Sequence, residues 1–299
     1  IELKKIFRQT DTQYINILNN IRKGVIYKKD IQCLNERVNL SFDTAHHNGC
    51  IPTKLFPLRS KADYINKIMY SKLDDEDISV KYIVNTKNST YIENNKPIPV
   101  EVIVKCNKIS RDAVENEINY LLSNSSCIYE IHLKIGAAVM CTVNLDMDNG
   151  ICNGSQGIIT DIVKKNNANI PIVRFANGIV KQMHPHFWQS EDFPTISIGQ
   201  YPLCLAWALT IHKIQGATLQ FAEIDIGKDI FECGQTYVAL SRVQSLNGLY
   251  LSSFDPTKIQ TNPIVNEYYK RISEANLQRK NRECSNLEKE DNQIKRVHI

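Results

Sequence analysis

The sequence predicts an α/β protein, an open sheet flanked by helices and interrupted by a long β-rich block. Three observations predict it. A strand–loop–helix unit runs from Ile51 through the stretch "KADYINKIMYSKL". From about Ser79 to Ser197 the texture changes to short β-type runs separated by turns. After Tyr201 the alternation of strand and helix returns.

The elements follow in order. Thr10 and Gln13 have the T-x-x-Q spacing of a capping box, in which each side chain satisfies a free backbone N–H. Tyr14, Leu18 and Ile21 then repeat at helical spacing and Gly24 supplies a stop, so a helix is expected from about Asp11 to Lys23. "IPTKLFPL" (Ile51 to Leu58) predicts a short buried strand. Ser60 is expected to cap the next helix, which turns Ala62, Ile65, Ile68 and Met69 toward a core.

Within the β-rich block, "VEVIVKC", "AAVMCTV", "QGIITDIV" and "IPIVRFANGIVKQM" read as strand-forming runs. Asn177-Gly178 predicts a hairpin with a type I′ turn, and Asn153-Gly154 a second turn. One helix is expected inside the block, from Asp112 to Leu122. Beyond Tyr201, "PLCLAWALTIHKIQG" precedes a strand at "AEIDIG", a helix at "GQTYVALSRVQS" and a strand at "GLYLSSF". A last helix gathers Val265, Tyr268, Tyr269 and Ile272, and the mixed-charge tail beyond it is expected to be solvated.

Composition narrows the class. The chain has 299 residues, enough for one large domain or two modest ones. Its 36 basic and 32 acidic residues give a net charge of +4, too mild to establish nucleic-acid binding but compatible with a local basic groove. The nine cysteines are scattered without a C-x-x-C pair, as expected of reduced thiols in an intracellular protein. No 18-residue apolar stretch exists, so no membrane span is expected. His184 and His186 lack a nearby Cys or carboxylate, and no metal site is expected there. The chain opens on Ile1 and is expected to be a piece of a longer polypeptide.

Three segments carry chemistry. "LKKIFRQTD" places Arg8 before the first helix, "AWALTIHKIQGATL" contains His212 and Lys213, and "GQTYVALSRV" ends on Arg242. Each has an ordinary structural reading on its own. Arg8 fits a surface residue, His212 and Lys213 fit a solvated helix face, and Arg242 in an apolar helix fits a structural ion pair.

Taken together, the three segments resemble motifs IV, V and VI of superfamily-1 helicases, in the form of the Pif1-like branch. The strings T-I-H-K-x-Q-G and Y-V-A-L-S-R are intact. Further similar stretches are "LNNIRKG" (Leu18 to Gly24), "TKLFPLRSKADYIN" (Thr53 to Asn66), "LKIGAAVMCTVNLD" (Leu133 to Asp146) and "NGSQG" (Asn153 to Gly157). The resemblance runs from Leu3 to about Tyr269.

The resemblance implies a RecA-like second motor domain, of the P-loop-NTPase type, over 46–78 and 199–258. Residues 79–198 would form an inserted SH3-like β-barrel, and 1–45 the end of the first motor domain or a linker carrying the motif IV segment. Residues 259–299 would form the C-terminal helix and polar tail. Arg8 and Arg242 would reach the γ-phosphate of ATP, with Gln9 and Tyr237 orienting them. Gly216 would let the backbone approach the nucleotide. Thr218 stands where many superfamily-1 helicases carry a ribose-binding Glu, which puts the ribose contact in doubt. Thr210, His212 and Lys213 would contact the DNA backbone. In the insert, Lys134, Lys164, Lys165, Arg174 and Lys181, with Phe175, Phe187 and Trp188, would line a strand-binding face. The aromatic residues fit a small-barrel core as well.

One part of a motor is missing. No G-x-x-x-x-G-K-[ST] phosphate cradle occurs around any of the 12 glycines. "DDED" (Asp74 to Asp77) follows a helix rather than an apolar strand and makes a poor Mg²⁺ site. The expectation is the C-terminal part of an ATP-dependent 5′-to-3′ DNA helicase. ATP and Mg²⁺ would be held mainly by an N-terminal motor domain in cis, and single-stranded and forked DNA would be the partners. The alternative is a non-catalytic, helicase-derived module that binds single-stranded DNA.

Overall fold

The computed structural model describes residues 6–42, 49–86, 98–165 and 168–274. The polar tail beyond 274 and the expected boundary at 45–46 lie outside them. Four parallel strands form the first sheet: β1 (Thr53–Phe56), β12 (Ala208–Thr210), β13 (Ala222–Ile226) and β14 (Leu249–Phe254), in the order β12-β1-β13-β14. The two central strands carry buried Leu55, Ile224 and Ile226, and each such side chain stabilises the fold by about 1.5–3 kcal/mol. α3 (Arg59–Ser71) crosses from β1 and packs against β12, where Asn66 exchanges two hydrogen bonds with the backbone of Ala208.

α1 (Thr12–Arg22) and α2 (Lys28–Asn35) belong to the same core. Tyr14, Ile17, Leu18 and Ile21 are buried there, which adds Ile17 to the apolar set read from the sequence. The cap of α1 differs from expectation. Asp11, one residue past Thr10, accepts from the Tyr14 N–H at 3.1 Å, and Gln13 instead donates to Cys33 Sγ. A carboxylate is the better acceptor at the positive end of a helix, and it takes the place from Thr10. Ser60 likewise does not cap α3; Leu58 stands at the cap position without a side-chain bond, and Ser60 lies inside the first turn.

The chain between α3 and β12 builds three antiparallel sheets. β2 (Ile78–Lys81) pairs with β4 (Glu130–Leu133). β3 (Ile83–Asn85), β10 (Ser197–Gln200) and β9 (His186–Gln189) form the second. The third has five strands, ordered β11-β5-β6-β7-β8, from β5 (Ala138–Cys141), β6 (Gln156–Lys165), β7 (Ala168–Phe175), β8 (Val180–Gln182) and β11 (Leu203–Leu205). Phe175 and Trp207 are buried in the core of this last sheet.

Two expectations in this region are corrected. "VEVIVKC" is not a strand but α4 (Val100–Cys106). Its half-buried Val102 and Ile103 and buried Cys106 recur at helical spacing, so tertiary burial overrides the strand preference of β-branched residues. The Asn177-Gly178 turn is also not type I′, since only Gly178 has a positive φ (+88°). Gly178 N–H donates to Phe175 O and Phe175 N–H to Ile179 O, which is a three-residue hairpin closed by a glycine bulge. The expected helix of the block is α5 (Arg111–Asn124), capped by Ser110.

α6 (Gln235–Leu240) is a short helix leading into Arg242, and a last helix, α7, spans 263–274. Among the described residues no helix is long and apolar enough to cross a membrane.

Candidate functional site

The segments before α1, before β13 and after α6 converge at the amino ends of β13 and β14. A parallel bridge between Leu219 and Val243 holds the last two together. Arg8, two residues before the Thr10–Asp11 pair, lies across them. Its Nε donates to Thr218 Oγ1 at 3.1 Å and its Nη1 to Ser241 O at 3.2 Å. Gln9 is buried, and its Nε2 donates to Ser241 O at 2.9 Å and Val243 O at 3.0 Å. Arg242 donates from Nε to Val238 O at 3.0 Å and from Nη2 to Ser241 Oγ at 2.9 Å.

Both arginines therefore bond the same serine, one through its carbonyl and the other through its hydroxyl. Among the described residues neither forms an ion pair with a carboxylate. The structural ion pair that would ordinarily explain Arg242 is absent there. Burial, and secondarily the nearby positive charge of Arg8, push the Arg242 guanidinium below its ordinary pKa, while Tyr237 opposes the shift. Among the described residues the two cations are held close together with no carboxylate against either guanidinium. Backbone and hydroxyl acceptors fix both planes without neutralising them.

Thr210, His212 and Lys213 occupy a different place. Thr210 pairs with Phe56 where β12 and β1 finish, at the carboxyl end of the parallel sheet. His212 and Lys213 are exposed on the turn that follows, not on a helix face. The Lys213 N–H donates to Thr210 Oγ1 at 3.2 Å, so the hydroxyl is oriented by its own turn. Gly216 ends this turn with φ +86°, and nothing lies within 4 Å of where its Cβ would stand. Backbone conformation, not crowding within the chain, requires glycine there.

Trp188 lies apart from both groups, on β9 in the second antiparallel sheet. It is half-buried, pairs across the sheet with Ile198, and takes the edge of His186 at 4.8 Å. Of the basic residues once grouped with it, Lys181 is tied to Asp146 and Lys134 donates to Leu73 O. Phe175 is core and Phe187 is exposed. Burial beside Trp188 lowers the His186 pKa below the ordinary imidazole value. As pH falls below about 6.5 the unfolded chain takes up a proton that folded His186 refuses, so acidification through this window destabilises the fold. An NMR titration is expected to place the His186 midpoint below about 6.5, the ordinary imidazole value, and an equal or higher midpoint contradicts this.

Two residues escaped sequence reasoning. Ser241 is the shared acceptor of the arginines, and its only sequence signal is adjacency to Arg242. Phe231 is 59% exposed, with its ring centroid 6.3 Å from that of His212. It lies in an irregular loop with no periodicity to betray it. Phe231 lines a pocket with Leu58, Lys228, Asp229, Glu232 and Lys258.

Comparison with known proteins finds Pif1 helicases similar to this chain. The family model "DNA helicase Pif1, 2B domain" matches residues 118–162. An ATP-dependent DNA helicase PIF1 of Xenopus laevis is 30% identical over 97% of this chain and 41% of its own length. Over nearly its whole length the chain is similar to Pif1-like helicases. A crystal structure of Bacteroides sp Pif1 in complex with ADP-AlF4 superposes with a TM-score of 0.65 at 26% identity, covering 92% of this chain and 57% of that one. A Pif1 helicase from Bacteroides in complex with ADP-AlF3 and ssDNA superposes with a TM-score of 0.51 at 25% identity, over 92% of this chain and 57% of that one. The chain thus spans about two fifths of the curated Pif1 relative. Its α/β fold is that of the Pif1 structures, and the 2B match falls on the second half of α5, on β4 and β5, and on part of β6.

Proposed function

We propose that this chain supplies the second motor domain of an ATP-dependent 5′-to-3′ DNA helicase. It would work with a P-loop domain that holds most of the ATP and its Mg²⁺. The observation that carries this reading is the pair of arginines sharing Ser241, with no carboxylate partner among the described residues. Set against the triphosphate of a facing domain, Arg8 and Arg242 stabilise the charge that spreads over the γ-phosphoryl oxygens in the transition state. Ser241 holds the two side chains, Gln9 braces the Ser241 and Val243 backbone, and Tyr237 borders Arg242. Thr218 is engaged by Arg8, which makes it a holder of the arginine rather than a ribose ligand in this arrangement. Among the described residues no three His, Cys, Asp or Glu gather as a metal site, so the Mg²⁺ ligands are assigned to the other domain.

We assign the DNA grip to the other end of the sheet, to Thr210, His212 and Lys213 with the exposed ring of Phe231 beside them. Short donors to phosphate with an aromatic face for a base suit a single strand. Placing ATP and DNA at opposite ends of one four-strand sheet lets closure of the site on one move the grip on the other. Trp188, whose indole packs in an antiparallel sheet, takes a secondary place on the path of the strand.

In this reading the parallel sheet, with α1 and α2 packed on it, is the RecA-like domain. The β-rich stretch expected over 79–198 is the SH3-like insertion. The five-stranded antiparallel sheet supports that assignment, although it borrows β11 from beyond residue 198.

The test joins this chain to the in-frame region upstream. The complete protein is expected to hydrolyse ATP in response to single-stranded DNA and to unwind forked DNA, whereas this chain alone binds the strand without turnover. A complete protein that binds DNA but shows no DNA-stimulated hydrolysis leaves only the binding-module reading.

A further inference from the structure

The Asn153–Gly157 turn has no task in the account above, yet it is wedged against the arginine site. It leaves β5 with the Gly154 N–H on Cys141 O at 2.9 Å and starts β6 at Gln156. Its tip meets the parallel sheet. Asn153 O accepts the Thr218 N–H at 3.3 Å, and Gln156 Nε2 donates to Thr53 Oγ1 of β1 at 3.0 Å. Gln156 Oε1 also faces the Phe221 N–H at 3.5 Å, just before β13 begins.

Gly154 is the tightest point. Its φ is +100°, and a Cβ there would stand 2.3 Å from Thr218 O and 2.7 Å from Thr218 N. Both are backbone atoms that no rotamer change can move aside. Thr218 is the residue whose hydroxyl accepts the Arg8 Nε–H.

We propose that the Asn153–Gly157 turn is a positioning element for Arg8, with Gly154 seating the Thr218 backbone so that its hydroxyl holds the guanidinium. The antiparallel sheet thereby reaches into a site otherwise built from the parallel one. Its consequence for hydrolysis rests on the proposed nucleotide role of Arg8; the positioning itself does not.

Two readouts keep those apart. In this chain, the Arg8 Nε–H is followed by ¹⁵N NMR, its signal assigned by loss in Arg8→Lys. Thr218→Val removes the acceptor and Gly154→Ala displaces it. Each is expected to speed exchange of that proton with water by about tenfold, the worth of one hydrogen bond, while Thr218→Ser keeps the slow exchange. If Gly154→Ala does not fold, Gln156→Met loosens the turn without placing an atom against Thr218, and the same acceleration is expected. In the complete protein, Gly154→Ala and Thr218→Val are each expected to lower kcat about tenfold with KM for DNA unchanged. The double variant should be no slower than Thr218→Val alone, because both act through one bond. Unchanged Arg8 exchange in the folded turn variants, or kcat losses that multiply, overturns the proposal. Faster exchange with no hydrolysis to measure in any complete protein keeps the positioning and removes the helicase reading.

Discussion

Arg242→Ala, in the protein that unites this chain with its P-loop domain, is expected to lower DNA-stimulated ATP turnover by about 10³-fold or more. Single-strand affinity should stay within about twofold, since the proposed DNA grip lies at the opposite end of the sheet and phosphate contacts there would set the affinity. The geometry explains why the loss is so large. Arg242 is fixed through Nε and Nη2 by Val238 O and Ser241 Oγ, so its remaining donors meet an incoming phosphate without further ordering. Arg242→Lys should recover little, because a lysine has no planar fork to satisfy both acceptors and the phosphate together. Steady-state kinetics with a parallel DNA titration decides the matter. An equal fall in turnover and binding gives Arg242 a structural role.

Tyr14→Ala is expected to remove about 3–5 kcal/mol of stability from this chain, measured by chemical denaturation. Tyr14 is fully buried, and its hydroxyl donates to Leu240 O at 2.7 Å, joining α1 to the end of α6. Burial pushes the phenol pKa upward, so it stays a neutral donor. Tyr14→Phe retains the ring and loses only the bond, at about 1 kcal/mol. A larger loss in Phe than in Ala would refute this division. Because Leu240 immediately precedes Ser241 and Arg242, Tyr14→Phe in the complete protein also reports how firmly the arginine strand end is held.

The interior helices and strands were legible where period and composition agreed. α1 and α3 bury or half-bury the residues their spacing points to, and α5, β1, β13 and β14 form where the sequence reads as helix or strand. Local competition was not legible. Asp11 outcompetes Thr10 for one N–H, and α4 forms from residues that prefer strands because burial at helical spacing outweighs propensity. The candidate residues were visible only as motifs. That Arg8 meets Arg242 at Ser241 depends on a contact across 233 positions, and Thr210 lies instead where β12 and β1 finish.

By itself the sequence determined the order of the parts: helix, strand and helix, a β-rich stretch, then the strands that complete the parallel sheet. It did so because hydrophobic period and turn chemistry are local. It also carried the three arginine- and histidine-bearing segments and the missing phosphate cradle. Only the tertiary structure decided which segments share a site. Two guanidinium groups are set together with no carboxylate partner among the described residues, and a glycine turn from another sheet is pressed against the threonine that holds one of them. Those facts come from chain crossings that bring distant backbone atoms within ångströms, and no spacing along the chain encodes them.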